Sequence, residues 1–123
     1  MNGRGPAFLL GVGGAPSGVI DISQSYVDAQ GWRGQKTPWA VRWRYQGPIL
    51  IRGQRTDAAG PLRFALGEGQ HLRELCWPPH RSAGLKGAYR FWPSETMFQA
   101  PGCYGFQADG TSFSTVVIMR VSG

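Results

Sequence analysis

His71, Cys76 and His80 stand in a His-x4-Cys-x3-His arrangement, and Cys103, Met97 and Met119 add soft donors elsewhere in the chain. Imidazole, thiolate and thioether are ligands that copper and zinc take. The spacing matches no zinc signature, however, and on a regular strand His71 and Cys76 point to opposite sides. Cys76 is therefore read as a buried thiol and the histidines as solvent-facing, with no metal or other cofactor expected. Cys76 and Cys103 are the only cysteines, and they allow one intramolecular disulfide if their Cα atoms come within about 7 Å.

The second group with chemical promise is cationic. Thirteen Lys and Arg oppose seven Asp and Glu, giving a formal charge of +6 and a pI near 10.0. No acidic residue lies between Ala29 and Thr56, the window that holds Arg33, Lys36, Arg42, Arg44, Arg52 and Arg55. Such a field attracts anions without identifying one. Single-stranded nucleic acid needs aromatic rings and cations on the same face, so that bases stack while phosphates pair. The alternation in Trp39-Ala-Val-Arg-Trp-Arg-Tyr45 sends Trp39, Val41, Trp43 and Tyr45 to one face and Arg42 and Arg44 to the other. The arginines alone would give weak, salt-sensitive contacts.

A glycan site is the alternative to nucleic acid, since five tryptophans and four tyrosines offer planar surfaces for sugars. Trp32 falls in a loop, and Trp77 and Trp92 fall at strand ends beside prolines, so these three rings are expected at the surface. Enzymatic chemistry has least support. No acid and base share a productive spacing, no serine sits in a nucleophile elbow, and Gly11-Val-Gly-Gly14 lacks the lysine of a phosphate loop.

The elements that carry these residues must be short. Nineteen glycines and nine prolines leave no uninterrupted stretch longer than 12 residues (Val19 to Gln30 and Thr111 to Ser122), which disfavours long helices. No apolar run approaches the ~18 residues that cross a bilayer. At 123 residues the chain forms one domain. Residues 1–18, rich in glycine and proline, read as a flexible arm, and residues 19–123 as the domain. Strands are expected at Val19–Ile22, Trp39–Tyr45, Ile49–Arg52, Leu62–Leu66, Leu72–Trp77, Ala88–Trp92 and Thr96–Phe98. A closing hairpin, Ala100 to Val121, turns at Asp109-Gly110. The apolar run Val116–Met119 predicts a strand covered on both faces. Seven to nine antiparallel strands separated by turns predict an all-β sandwich. Trp39, Val41, Trp43, Leu62, Phe64, Leu66, Phe106, Phe113, Val117 and Met119 form its expected core.

Lys36-Thr-Pro-Trp39, Gly47-Pro-Ile-Leu-Ile-Arg-Gly53, Leu62-Arg-Phe64, Trp92-Pro-Ser94 and Pro101-Gly-Cys-Tyr104 occur in this succession. With the closing hairpin, the succession resembles small immunoglobulin-like sandwich proteins that bacteria secrete or anchor to lipid. The likeness covers about residues 36 to 121 and implies an immunoglobulin-like fold; it carries over no catalytic or ligand residue. An early lipidated cysteine is absent from the numbered chain, and the resemblance implies a secreted or cell-surface protein whose leader is not part of this sequence.

These readings combine into a noncatalytic extracytoplasmic interaction or structural module. Its expected partner is a protein or cell-surface component, or a second copy joined through the arm or an apolar sheet face. The alternative is a nucleic-acid or glycan binder using Arg42, Arg44, Arg52 and Arg55 or Trp32, Trp77 and Trp92.

Overall fold

Pro38 and Pro93 face one another in the middle of a long hairpin, and that pairing explains how the strands divide. The computed structural model describes residues 1–11, 15–82 and 84–123, with only the backbone of Leu85 and Lys86. Twelve strands occur among them: β1 Ala7–Leu9, β2 Val19–Asp21, β3 Arg33–Lys36, β4 Trp39–Arg42, β5 Ile49–Arg55, β6 Leu62–Ala65, β7 Leu75–Trp77, β8 Gly84–Lys86, β9 Tyr89–Trp92, β10 Glu95–Phe98, β11 Gly102–Asp109 and β12 Ser114–Ser122. None of the described residues is helical.

β4 pairs with β9 so that Trp39 lies opposite Trp92, and β3 pairs with β10 so that Lys36 lies opposite Glu95. Both pairs obey the same register. Between them the Thr37 N–H donates to the Ser94 carbonyl at 2.8 Å, and the Ser94 hydroxyl returns a bond to the Thr37 carbonyl at 2.7 Å. Proline has no N–H to give to a ladder, so the two prolines interrupt one ribbon without changing its register. The order β1-β4-β9-β8 thus continues into β3-β10-β6 as one bent layer.

The opposing layer has the order β2-β12-β11-β5-β7. Its centre is the expected hairpin, with Asp109 opposite Ser114 and Gly102 opposite Val121. Ring contacts join the layers: Trp39 with Phe106, Phe64 with Phe106, Phe98 with Tyr104, and Trp77 with Trp92. These aromatics, together with Ile49, Ile51, Val117 and Met119, form one continuous core. The arrangement is that of an all-β sandwich. Two corrections apply to the expected sheet. β2 runs parallel to β12, with Ile20 opposite Val121, and the strand count exceeds nine because β1, β3 and β8, edge strands of three or four residues, carry too little alternation to be seen in the sequence.

The N-terminal residues are the larger correction. Ala7, Phe8 and Leu9 are buried, and β1 pairs with β4. Asn2 exchanges both backbone bonds with Leu9, at 2.8 and 3.0 Å. Its side-chain carbonyl accepts from the Gly18 N–H at 2.7 Å. The described part of the expected arm is therefore folded into the sandwich; Val12, Gly13 and Gly14 lie outside the described residues.

Four side chains depart from the expected burial pattern for local reasons. β4 ends at Arg42, whose carbonyl accepts from the Tyr45 N–H in a turn, and Trp43 leaves the core at 52% exposure. The Gln70 side chain accepts from the N–H groups of Leu66 and Gly67 at 2.8 and 3.1 Å. The chain therefore bends after Ala65 and exposes Leu66. Val116 and Ile118 are 55% and 57% exposed while Val117 and Met119 are buried. β12 thus alternates even through its apolar run Val116–Met119, and its outer face is open.

Candidate interaction groove

Alternation on the five-stranded layer turns Val117, Met119, Phe106, Ala108 and Ile51 inward, which necessarily aims Val116, Ile118, Gly105, Gln107, Arg52 and Gln54 outward. The pairing places Val116 beside Gln107 and Gln107 beside Arg52; one step along, Ile118 lies beside Gly105 and Gly105 beside Gln54. Gly105 has no side chain to fill this row. A Cβ there would come within 3.3 Å of Ile118 and Thr56.

β7 begins only at Leu75, opposite Ile51, whereas β5 continues to Arg55 with no described strand on that side. The opening is flanked by Pro61, Leu62 and Arg63 at the start of β6 and by Arg73 and Glu74 before β7. A groove of about 780 Å³ results, running from Val116 and Ile118 across the sheet to this open edge. Its floor is aliphatic at one end and its rim carries Arg52, Arg63 and Arg73 at the other.

Asp109 organises the adjacent hairpin end. Its carboxylate accepts from the Ser114 hydroxyl at 2.6 Å, from Gln107 at 3.0 Å and from Arg52 at 2.9 Å. The Ser114 bond, then those of Gln107 and Arg52, hold its carboxyl below the ordinary value of 3.8. Arg55 pairs with Asp57 at 2.7 Å. Of the four arginines singled out in the sequence, Arg52 and Arg55 thus lie on β5, with carboxylates engaged. Arg42 ends β4 in the other layer, its guanidinium 5.2 Å from the Phe8 ring, and Arg44 occupies the turn that follows. They do not form one patch.

The three tryptophans expected at the surface are buried. Trp77 and Trp92 are 6% and 4% exposed and stack with centroids 4.9 Å apart at an interplanar angle of 14°. A strand end beside proline is here an interior position, because both rings point between the layers. Trp32, 8% exposed, packs with Ala65 and Met97 and stacks on His71 at 5.8 Å. The Asp28 carboxylate accepts from the N–H groups of Gln30 and Trp32 at 2.8 and 3.0 Å. It also bonds His71 Nε2 at 2.9 Å, and the His71 bond is the main cause of its lowered pKa. This carboxylate–imidazole pair fastens the loop that carries Trp32.

The metal-ligand candidates are likewise separated by role. His71 is engaged with Asp28, Cys76 is exposed on β7, and His80 lies exposed in a loop, its main-chain N–H donating to the Gln46 carbonyl. Among the described residues no three His, Cys, Asp or Glu groups are placed to hold a metal ion. Cys76, expected to be buried, faces outward because Leu75 and Trp77 take the inward positions of β7. The disulfide is also excluded, since both cysteines are free. Cys76 pairs with Leu50 and Leu50 with Asp109, six positions from Cys103 on β11. At about 3.3 Å per residue that is roughly 20 Å, far beyond bridging distance.

Sequence reasoning missed Arg90. It is 1% exposed on β9 and donates to the carbonyls of Tyr45, Gly47 and Arg81 at 2.8, 3.1 and 3.1 Å, and to Pro78 at 3.4 Å. Its guanidinium also lies 4.7 Å from the Trp92 ring. Burial lowers its pKa. The alternation of Tyr89 to Trp92 contained the only signal for it, because Trp92 inward requires Arg90 inward as well.

A second hollow, of about 510 Å³, lies at the ribbon bend and is lined by Pro38, Pro93, Leu66, Phe91, Lys36 and Glu95 among others. No helix among the described residues is long and apolar enough to cross a membrane. Compared with protein-family models, with curated proteins and with solved structures, the chain matches none.

Proposed function

We propose that this protein is a noncatalytic interaction module, working outside the cytoplasm, that engages a partner through the outer face of its five-stranded layer. The observation that carries the reading is the pair Val116 and Ile118, each more than half exposed beside a groove with an open strand edge. Exposed aliphatic rows and unpaired edges are features that solitary proteins suppress and interacting ones keep. An immunoglobulin-like identity is supported by the Tyr104 hydroxyl, which donates to the Ala100 carbonyl at 2.7 Å near the start of β11, as the corner tyrosine of such sandwiches does.

A photo-crosslinking amino acid at Gln54, expressed in the producing organism, tests this. One discrete, identified adduct in the extracytoplasmic fraction, absent when the probe is moved to Gln99, supports the module. No adduct at Gln54 or at any other exposed position of the layer refutes it. The nucleic-acid alternative now rests on Trp43, the exposed indole between Arg42 and Arg44. An oligonucleotide titration showing no binding at low ionic strength, where phosphate contacts are strongest, removes it.

A further inference from the structure

The groove has polarity along its length. At the β12 end the exposed groups are Val116 and Ile118, and between them and the rim Gly105 leaves the floor low. At the open edge stand Arg52, whose guanidinium already holds Asp109 at 2.9 Å, and the exposed Arg73 beside Glu74; Arg63 borders the edge with its guanidinium on the Leu62 carbonyl and 5.8 Å from the Trp32 ring. From β12 through β11 and β5 to the line of β7 is three strand spacings, about 14 Å, the reach of about four extended residues. No exposed aromatic ring lines this path, so bases have nothing to stack on. Phe106, the one ring that borders it, is wholly buried.

A second copy of this chain does not fit the rim. Like patches would bring arginine against arginine. The seven acidic residues are dispersed, the closest two being Glu68 and Glu74, so no stretch of this sequence presents adjacent carboxylates. The complementary occupant is a different chain.

Building on the module reading above, we infer that the groove receives an extended acidic segment of a partner protein, with aliphatic side chains over Val116 and Ile118 and its carboxylates at Arg73. The segment crosses the strands instead of running along one, so side chains hold it, and Arg73 at one end sets its direction. Charge complementarity of this kind governs encounter rate and register more than raw affinity.

A fluorescein-labelled peptide with two isoleucines followed by three aspartates is the probe, titrated by anisotropy against the whole protein. Binding is expected at low salt, weakening as salt rises. Arg73→Ala and the double change Val116→Ser with Ile118→Ser should each weaken it about fivefold or more. Both sites are exposed, so the variants should keep the parent melting temperature, and Arg44→Ala should leave binding unchanged. The inference is overturned by no binding at low salt, by equal binding of the peptide with asparagines for aspartates, by loss on Arg44→Ala rather than Arg73→Ala, or by tighter groove binding of an oligothymidylate. If the peptide fails while the Gln54 crosslink still captures a partner, the acidic occupant is wrong and the module reading stands.

Discussion

Trp77 and Trp92 stack face to face with centroids 4.9 Å apart, one from each layer of the sandwich. Trp77 lies at the end of β7 and Trp92 at the end of β9, just before the proline bend. The stack therefore packs the edge strand β7 against β9 across the core. Trp77→Ala or Trp92→Ala should destabilise the protein by about 3–5 kcal/mol, measured by urea denaturation. Because neither ring reaches solvent, a polysaccharide panel should leave their emission unchanged. Quenching on sugar binding would show that the pair opens.

Removal of residues 1–10 should be severe. It strips β1 from β4, deletes the buried Ala7, Phe8 and Leu9, and leaves the edge of β4 unpaired. Loss of several buried apolar side chains at roughly 1.5–3 kcal/mol each is comparable with the whole stability of a domain this size. The truncated chain should show no cooperative thermal transition. A melting temperature within a few degrees of the parent's would mean that β1 is dispensable.

Arg90 ties together the chain after β4 and the loop after β7, through Tyr45 and Gly47 on one side and Pro78 and Arg81 on the other. Arg90→Ala should cost about 3 kcal/mol or more, because it strands carbonyls that folding has removed from water. Arg90→Lys should recover little, since a point ammonium cannot bond four carbonyls spread around a planar fork. Full stability in Arg90→Lys would show that charge alone suffices. Hydrogen exchange at Gln46 and Ser82 in the alanine variant would report whether both loops loosen together.

Asp109 makes stability depend on acidity in one direction. Its folded carboxyl titrates below the ordinary 3.8 because Ser114, Gln107 and Arg52 favour the charged form. A depressed carboxyl contributes its stabilisation fully above the unfolded value, and the contribution disappears as pH falls below 3.8 through the folded one. Asp109→Asn should therefore destabilise the protein at neutral pH and flatten the loss of stability below about pH 4. An unchanged acid slope, read from denaturant midpoints across that range, would assign the acid sensitivity to Asp21, Asp28 and Asp57 instead, all of which are also depressed.

The closing hairpin and most strand positions could be read directly from the residues. The turn is the four residues from Gly110 to Phe113, between Asp109 and Ser114, and not the expected tight Asp109-Gly110 pair; β-branched and aromatic residues flank it, and period-two alternation survives in β11 and β12. The inward side of β12 was legible from Val117 and Met119. The openness of its other side was not, because an apolar sequence at Val116 and Ile118 is equally suited to a covered face.

Composition and local pattern determined that this chain would be short strands in one all-β domain, since glycine and proline punctuate it too often for anything else. They also determined that its cations exceed its anions. Only the tertiary arrangement decided which rings are wet, which arginine is buried and where the groove lies. Burial of Trp32 depends on a carboxylate turning its loop onto Met97 and Ala65, and exposure of Trp43 depends on a turn that ends β4. The groove exists because β5 runs on beyond the start of β7. Each of these is a relation between segments distant in sequence or a termination of a strand, and periodicity within a single segment carries no record of either.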